Sequence, residues 1–381
     1  MTDILFEIEV PIGFVGPVRL NDGRILGLGM SPDFQPNIML SADGGRTWSN
    51  SGPMIDRAGR QFTRRRTSLM SLIRLASGAL ALNYWEAVAE PVGMRTHQTF
   101  FQKSLDEGKT WSDPIQVTWP NTPSNPTYLV QTRSGRLVLP NEYSYNQATQ
   151  YHKHNSMKIC TVLYSDDEGE TWAESADSVF VGEKDRGAHI AFVEAPCIVE
   201  TADGRLLMFM RTEMQRLAQS YSIDGGVHWE QGSLNALLSS RSEVWLDRIP
   251  TTGDLLCVWN QVGAEEIRTG FYRSRLSSAI SKDSGATWHN FRTVVMSPGM
   301  KRVDRIVETD PPAHLTSSGV SPEKGPFPKE GHRTVRHPRV RFIDDKAYLR
   351  YDDRRYDEPH SKSCYSAYKL RAMPISWFYG N

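Results

Sequence analysis

One short frame, S-x-D-x-G-x-T-W, stands five times in this chain and limits its possible folds more than any other feature. The copies are Ser41–Trp48, Ser104–Trp111, Ser165–Trp172, Ser222–Trp229 and Ser281–Trp288, with His228 in place of Thr in the fourth. Each follows an apolar run, such as Asn37–Leu40 or Thr99–Gln102, and reads as a strand entering a tight hairpin. The parts account for the turn. Asp bonds the N–H groups of its own turn, Gly takes a positive-φ corner, and Trp seals the hairpin against its neighbours. A recurrence of roughly sixty residues signals an array of similar units. A calcium-binding loop is excluded, because the alternating acidic ligands and the distant Glu are missing.

Between these hairpins runs a second pattern: apolar strand, turn with Gly, apolar strand. It occurs at Val18–Leu26, Leu72–Leu80, Leu129–Leu137, Ile198–Leu206 and Arg248–Leu255, and a sixth time at Val340–Tyr348, where Asp or Lys replaces the Gly. Six such strand A–strand B pairs with five C–D hairpins predict an all-β fold, a six-bladed β-propeller of four-stranded antiparallel blades, the last without the frame. Tyr365–Pro374 is expected to supply closing strands where the two terminal segments meet. No linker is visible, so residues 1–381 read as one domain. Residues 143–158, rich in Tyr, Asn, Gln and His, read as a loop, and 296–335, rich in Pro and Gly, as an insertion forming a lid beside the propeller mouth.

Lysine plus arginine balances aspartate plus glutamate at 44 each, which argues against nucleic acid or a membrane surface as partner. Cys160, Cys197, Cys257 and Cys364 are scattered, and the two within strand-like runs, Cys197 and Cys257, read as reduced core residues. The first residues lead directly into a strand and no stretch is long and apolar enough to span a bilayer, so a soluble, cytoplasmic chain is expected. His97, His152 and His154 have no ligand spacing, and His332 and His337, five apart on an extended segment, fall on opposite faces. Neither a metal nor a cofactor is expected.

Blade topology locates the chemistry. The C–D hairpins mark one face, and the opposite face collects the start of A, the end of B and the start of C. Counting back from each turn Gly aligns Gly13, Ser68, Asn125, Glu194 and Glu243 at the start of A, with Arg336-His337 in the sixth blade. Counting forward aligns Met30, Trp85, Glu142, Arg211 and Asn260 at the end of B, with Asp352 or Asp353 in the sixth. Starts of C add Arg95, His97, Arg273 and Arg275, and Arg66 precedes strand A of the second blade. Carboxylates for acid–base work, guanidinium forks for a carboxylate and an aromatic for a ring face suit an anionic sugar.

The repeated frame is the Asp-box, and nearly the whole chain resembles the sialidase-like (BNR-repeat) β-propeller superfamily. That resemblance implies an arginine triad for the sialic acid carboxylate, a Tyr/Glu nucleophilic pair and an Asp acid–base. Glu194 sits where the family places the Glu that activates Tyr, Arg211 where the second triad arginine belongs, and Arg273 where the third does. Asp352 resembles the acid that orients the first arginine. Three positions depart from the pattern: Phe14-Val15 stands in the place of the first arginine, His337 in that of the tyrosine, and the acid–base Asp has only Asp33 as a loose counterpart. The implied activity is a glycoside hydrolase acting on a terminal anionic sugar, with ordinary sialidase turnover weak or absent. Its expected catalytic groups are Glu194, His337, Glu243 and Glu142, with Glu194 and His337 as the reacting pair. Arg66, Trp85, Arg211, Arg273, Arg336 and Asp352 are expected to bind an oligosaccharide or glycoconjugate. The alternatives are a lyase in which His337 abstracts a proton beside a uronate carboxylate, and a glycan-binding propeller without catalysis.

Overall fold

The computed structural model describes residues 4–62, 67–87, 97–118, 127–146, 156–183, 189–191, 193–307, 331–356 and 365–380. Its framework is six four-stranded antiparallel sheets, each hydrogen-bonded in the order A-B-C-D, the six-bladed β-propeller that the repeats predict. Helix is confined, among the described residues, to Ala264–Arg268 and a 3-10 turn at Ile375–Tyr379.

The chain divides into two compact units. One holds Val10–Ser178 with Asp224–His228, and the other holds the remainder. In the first unit, blade 1 is Val15–Arg19, Ile25–Met30, Pro36–Ser41 and Ser49–Pro53. Blade 2 is Thr67–Arg74, Leu80–Ala87, His97–Ser104 and Ile115–Gln116, and blade 3 begins with Val130–Gln131 and Leu137–Asn146. Ser156–Ser165 and Ala173–Glu174 complete blade 3. The reading of 143–158 as a loop therefore needs correction at both ends, because residues 143–146 and 156–158 extend the B and C strands through a continuous register.

The repeated turns bind themselves together as their residue types require. In the first, Asp43 accepts from the Thr47 N–H at 2.9 Å and the Thr47 hydroxyl at 2.7 Å, while the Ser41 hydroxyl donates to Asp43 at 2.9 Å. Two of the turn glycines also permit close packing between blades. A Cβ on Gly108 would overlap Leu26 of blade 1, and one on Gly169 would overlap the Phe101 ring of blade 2.

In the second unit, blade 4 is Val193–Glu200, Leu206–Thr212, Arg216–Ser222 and Ser233–Leu238. Blade 5 is Trp245–Arg248, Leu255–Trp259, Arg275–Ser281 and His289–Met296. Blade 6 takes its first three strands from His332–Ile343, Lys346–Tyr356 and Tyr365–Pro374, and its fourth from the N-terminal strand Phe6–Val10. The termini thus meet as expected. Residues 308–330, most of the expected lid, lie outside the described residues.

Strand A begins in three blades with the same irregularity. Register shifts fall between Val15 and Val18, between Glu194 and Cys197, and between Arg336 and Arg339. In each, the first extra residue has positive φ and precedes proline: Gly16 at 104°, Ala195 at 48° and His337 at 54°. Such a bulge bends the strand and re-aims the side chain it carries.

Candidate functional site

The site is built from blades 4, 5 and 6 within their own unit. Antiparallel register carries the start of A opposite the end of B, so Glu194 faces Arg211 and Arg336 faces Asp352 across their strands. His337 follows Arg336 on the bulge. A left-handed backbone at a residue other than Gly costs about 1–3 kcal/mol and is kept where the surroundings hold it.

The imidazole of His337 lies between two carboxylates. Its Nδ1 is 2.8 Å from Asp352 Oδ2, and its Nε2 is 3.9 Å from Glu243 Oε1. Asp352 is deeply buried and also lies 3.2 Å from Arg350 and 4.0 Å from Arg336. Burial works to raise its carboxyl, but Arg350 and the His337 hydrogen bond outweigh that and hold it well below the usual carboxylate range. An ionised Asp352 accepts the Nδ1–H, which fixes the tautomer and leaves the Nε2 lone pair free to take a proton.

Arginines surround this pair. Glu194 accepts from Arg211 Nε at 2.9 Å and from Arg241 Nε and Nη2 at 2.8 and 2.6 Å. The Arg241 backbone is held in turn, its N–H donating to the Tyr272 hydroxyl at 3.0 Å and its carbonyl accepting from Arg273. Burial, and after it the neighbouring Arg211, lower the Arg273 guanidinium to about 10, so it stays charged at neutral pH. Arg336 is lowered by burial and by Arg354. Its Nε is buried without a hydrogen-bond partner, and its ion pair is the long one to Asp352. Guanidiniums crowded closely enough to depress one another, with Nε donors of Arg273 and Arg336 unpartnered, are chemically suited to receive an anion.

The hydrogen-bonded partner of His337 differs from the expected one. The carboxylate hydrogen-bonded to His337 is Asp352, while Glu194 is engaged by two arginines. The bulge is the physical reason. His337 stands on it as an extra residue, and a bulge re-aims the side chain it carries, here toward Asp352. Arg241 was missed by counting from the turn glycine, although it lies two residues before Glu243 on the approach to the same strand. Arg275, in contrast to Arg273, is a fold residue, fully buried and bonded to Glu266 at 2.6 Å and to the Lys301 carbonyl at 2.9 Å. Asn260 ties blades 5 and 6 together, donating to the Arg275 and Val335 carbonyls at 2.7 Å.

The remaining candidates belong to the other unit or lie outside the described residues. Glu142 is buried in the middle of strand B of blade 3, which runs four residues further than the sequence suggests, and pairs with Lys158 at 3.2 Å. Trp85, half-buried, ends strand B of blade 2 opposite Ser68 and Thr99. Phe14 is fully buried edge-on to Trp48, with ring centroids 5.1 Å apart, so the place of the family's first arginine is taken by a core aromatic. Arg66, Arg95, His152 and His154 lie outside the described residues, which contain no group of three or more His, Cys, Asp and Glu able to hold a metal ion.

Comparison with known proteins agrees with this architecture. The anhydrosialidase of Macrobdella decora is 29% identical over 160 residues, a stretch that is 42% of this chain and 18% of that protein. Among solved structures, a protein of unknown function from Dyadobacter fermentans superposes with a TM-score of 0.62 at 15% identity, covering 97% of this chain and 98% of that one. The Trypanosoma rangeli sialidase superposes with a TM-score of 0.56 at 13% identity, covering 96% of this chain and 55% of the sialidase. These structural likenesses are ones of fold. Residues 31–321, most of the chain, match the family described as the BNR repeat-like domain, and the chain belongs to that family.

Proposed function

We propose that this chain is a glycosidase acting beside an anionic sugar group, with the His337–Asp352 pair as its acid–base group. Arg211, Arg273 and Arg336 hold the anion. The observation that carries the reading is the imidazole hydrogen-bonded to a buried carboxylate at 2.8 Å, set among guanidiniums that retain unused donors. The likeness of 160 residues to an anhydrosialidase supports a glycan as substrate.

Hydrolysis breaks the bond from the anomeric carbon to the leaving oxygen and forms one to the oxygen of water. The leaving oxygen gains one proton and the water gives one up. Nε2 of His337 is placed for such transfers, and the Glu243 carboxyl 3.9 Å away is a second proton carrier. Asp352 stabilises the imidazolium whenever the proton resides there. The arginines bind the substrate's carboxylate and fix the ring relative to His337.

The same imidazole base beside under-paired guanidiniums favours one further reading, elimination next to a uronate. There Nε2 removes the proton from the carbon bearing the carboxylate, the arginines neutralise the enolate, and the leaving oxygen departs with a proton. Mass spectrometry of acidic oligosaccharides incubated with the protein finds the substrate, and ultraviolet absorbance of an unsaturated product separates elimination from hydrolysis. His337→Ala is expected to lower kcat about 10²–10⁴-fold, the usual contribution of a general acid–base group. Near-normal kcat in that variant would sink the assignment. Chromogenic sialosides are expected to turn over slowly, because Phe14 and His337 replace the arginine and tyrosine of the family pattern, and rapid hydrolysis would refute this.

A further inference from the structure

Blades 4 and 5 also enclose a cleft of about 470 Å³ that contains no residue of the His337 cluster. Its size falls within the range of about 300–1,000 Å³ typical of small-ligand pockets. Arg216, Arg305 and His289 line it, and among the described residues no Asp or Glu does. Apolar cover comes from Leu237, Ile306 and Phe291, with the Arg305 guanidinium 4.8 Å above the Phe291 ring.

The cleft also holds buried donors without acceptors. The tryptophan N–H of the first and third hairpins donates within its own turn, Trp48 to the Gly45 carbonyl and Trp172 to the Gly169 carbonyl, both at 3.0 Å, whereas that of Trp111 in the second has no acceptor among the described residues. Trp288, only 8% exposed and lining the cleft, has an indole N–H with no acceptor. Asn235 on the adjacent blade is in the same condition. Its Oδ1 accepts from the Leu237 N–H at 2.9 Å, while its buried Nδ2 has no acceptor. A buried donor left unpaired costs free energy that an incoming acceptor recovers. Among the described residues the cleft thus offers cations and spare donors, which suit a ligand rich in acceptors and negatively charged.

We propose that this cleft is a second, non-catalytic binding site for acidic oligosaccharides. A sugar carboxylate meets Arg216 and Arg305, hydroxyl or ring oxygens accept from Trp288 and Asn235, and a C–H face of the ring rests on Leu237 and Ile306. The choice of a glycan rests on the reading of the main site as a glycosidase, whereas the preference for an anion rests on the cleft alone.

Calorimetric titration of the full chain with 3′-sialyllactose and with trigalacturonate, and with lactose as the neutral probe, tests this. An acidic probe is expected to show a component that disappears in Arg216→Ala/Arg305→Ala and persists in Arg273→Ala/Arg336→Ala. Trp288→Phe keeps the ring, removes the N–H and is expected to weaken that component about tenfold. Arg305→Glu, a change at an exposed residue, is expected to abolish it and guards against misfolding of the double variant. Binding lost only in Arg273→Ala/Arg336→Ala, or equal binding of lactose, overturns the second site. Binding lost only in the Arg216 and Arg305 variants sustains it and instead removes the anion role assigned to the main site.

Discussion

Glu194 shows how position and role separate at the scale of one residue. It begins strand A of blade 4, as a catalytic carboxylate of this fold would, but its oxygens accept three hydrogen bonds from Arg211 and Arg241. Charge-assisted bonds of this kind are about twice as strong as neutral ones, so Glu194 braces Arg211 and Arg241. Glu194→Gln is expected to raise KM for an anionic substrate about tenfold or more and to leave kcat and its pH profile nearly unchanged. A collapse of kcat matching that of His337→Ala would return Glu194 to the reacting atoms. Asp352 is the converse case, a residue expected only to orient an arginine and found to hold the imidazole. Asp352→Asn removes the charge that stabilises the imidazolium and leaves the ring with a less defined tautomer. It is expected to lower kcat about 10²-fold or more. A near-normal kcat would show that His337 does not work through Asp352. Counting from the turn glycine aligned Glu194 and Arg211, which face each other across their strands, because cross-strand register follows from strand length, while in the sixth blade, without that glycine, it left Arg336 or His337 and Asp352 or Asp353 open. The partner of His337 was not legible in this way, because an extra residue before Pro338 alters the register that counting assumes.

At the scale of the element, the hairpin turn was the most legible feature, since its stabilising contacts are nearly all made within eight residues of chain. The fourth copy shows how far the frame tolerates change. His228 takes the place of Thr, with its N–H at 3.0 Å and Nδ1 at 2.7 Å from Asp224, so the imidazole stands where the hydroxyl would. The turn carboxylates also carry a pH signature. Hydrogen bonds from Thr47 and Thr171 lower Asp43 and Asp167 from the ordinary 3.8 to about 2. A carboxyl depressed in the folded state adds stability that is present above its unfolded value and lost as pH falls through its folded value. Acid titration is therefore expected to weaken the fold between about pH 4 and 2, and Asp167→Asn to remove part of that slope. A slope unchanged in the variant would show that the turn carboxylates do not set it. The tryptophans differ in burial, which the sequence frame conceals. Trp111 is fully buried, whereas Trp172 is half-exposed against Phe101 at 5.5 Å between ring centroids. Trp111→Ala is expected to cost about 3–5 kcal/mol in chemical denaturation and Trp172→Ala less, without loss of specific activity in the folded fraction. Equal costs would mean that burial is not what distinguishes the copies.

At the scale of the whole molecule, the two ends of the chain are brought together in blade 6, where Phe6–Val10 supplies the outer strand beside Tyr365–Pro374. This was legible as a shortage, since five hairpins serve six A–B pairs and one blade must find its last strand elsewhere. Which side chains fasten the joint was not legible, because they are more than three hundred residues apart in sequence. Two glutamates on the same short strand make the contrast that tests the joint. Glu7 accepts from the buried Tyr351 hydroxyl at 2.8 Å and from Arg371 Nε at 2.6 Å, and Arg371 also donates to the Val294 carbonyl of blade 5. Glu9, two residues on, meets Lys369 at 2.8 Å and Tyr365 on the exposed face. Removing the Glu7 carboxylate leaves a phenol and a guanidinium in a largely buried place without their acceptor, and bonds to a charged group contribute ~1.5–3 kcal/mol each. Removing that of Glu9 breaks a surface pair, for which the usual contribution is ~0–1 kcal/mol. Glu7→Ala is therefore expected to lower the unfolding free energy by about 2–4 kcal/mol. It should also loosen the N-terminal strand first, seen as faster amide exchange across Phe6–Val10 and along the facing edge of Tyr365–Pro374, an uncovered strand edge that invites association between molecules. Glu9→Ala is expected to do neither. Equal effects of the two substitutions, or a Glu7→Ala protein that unfolds like the parent with its N-terminal amides still protected, would show that backbone pairing alone holds the termini together and that the buried network is dispensable.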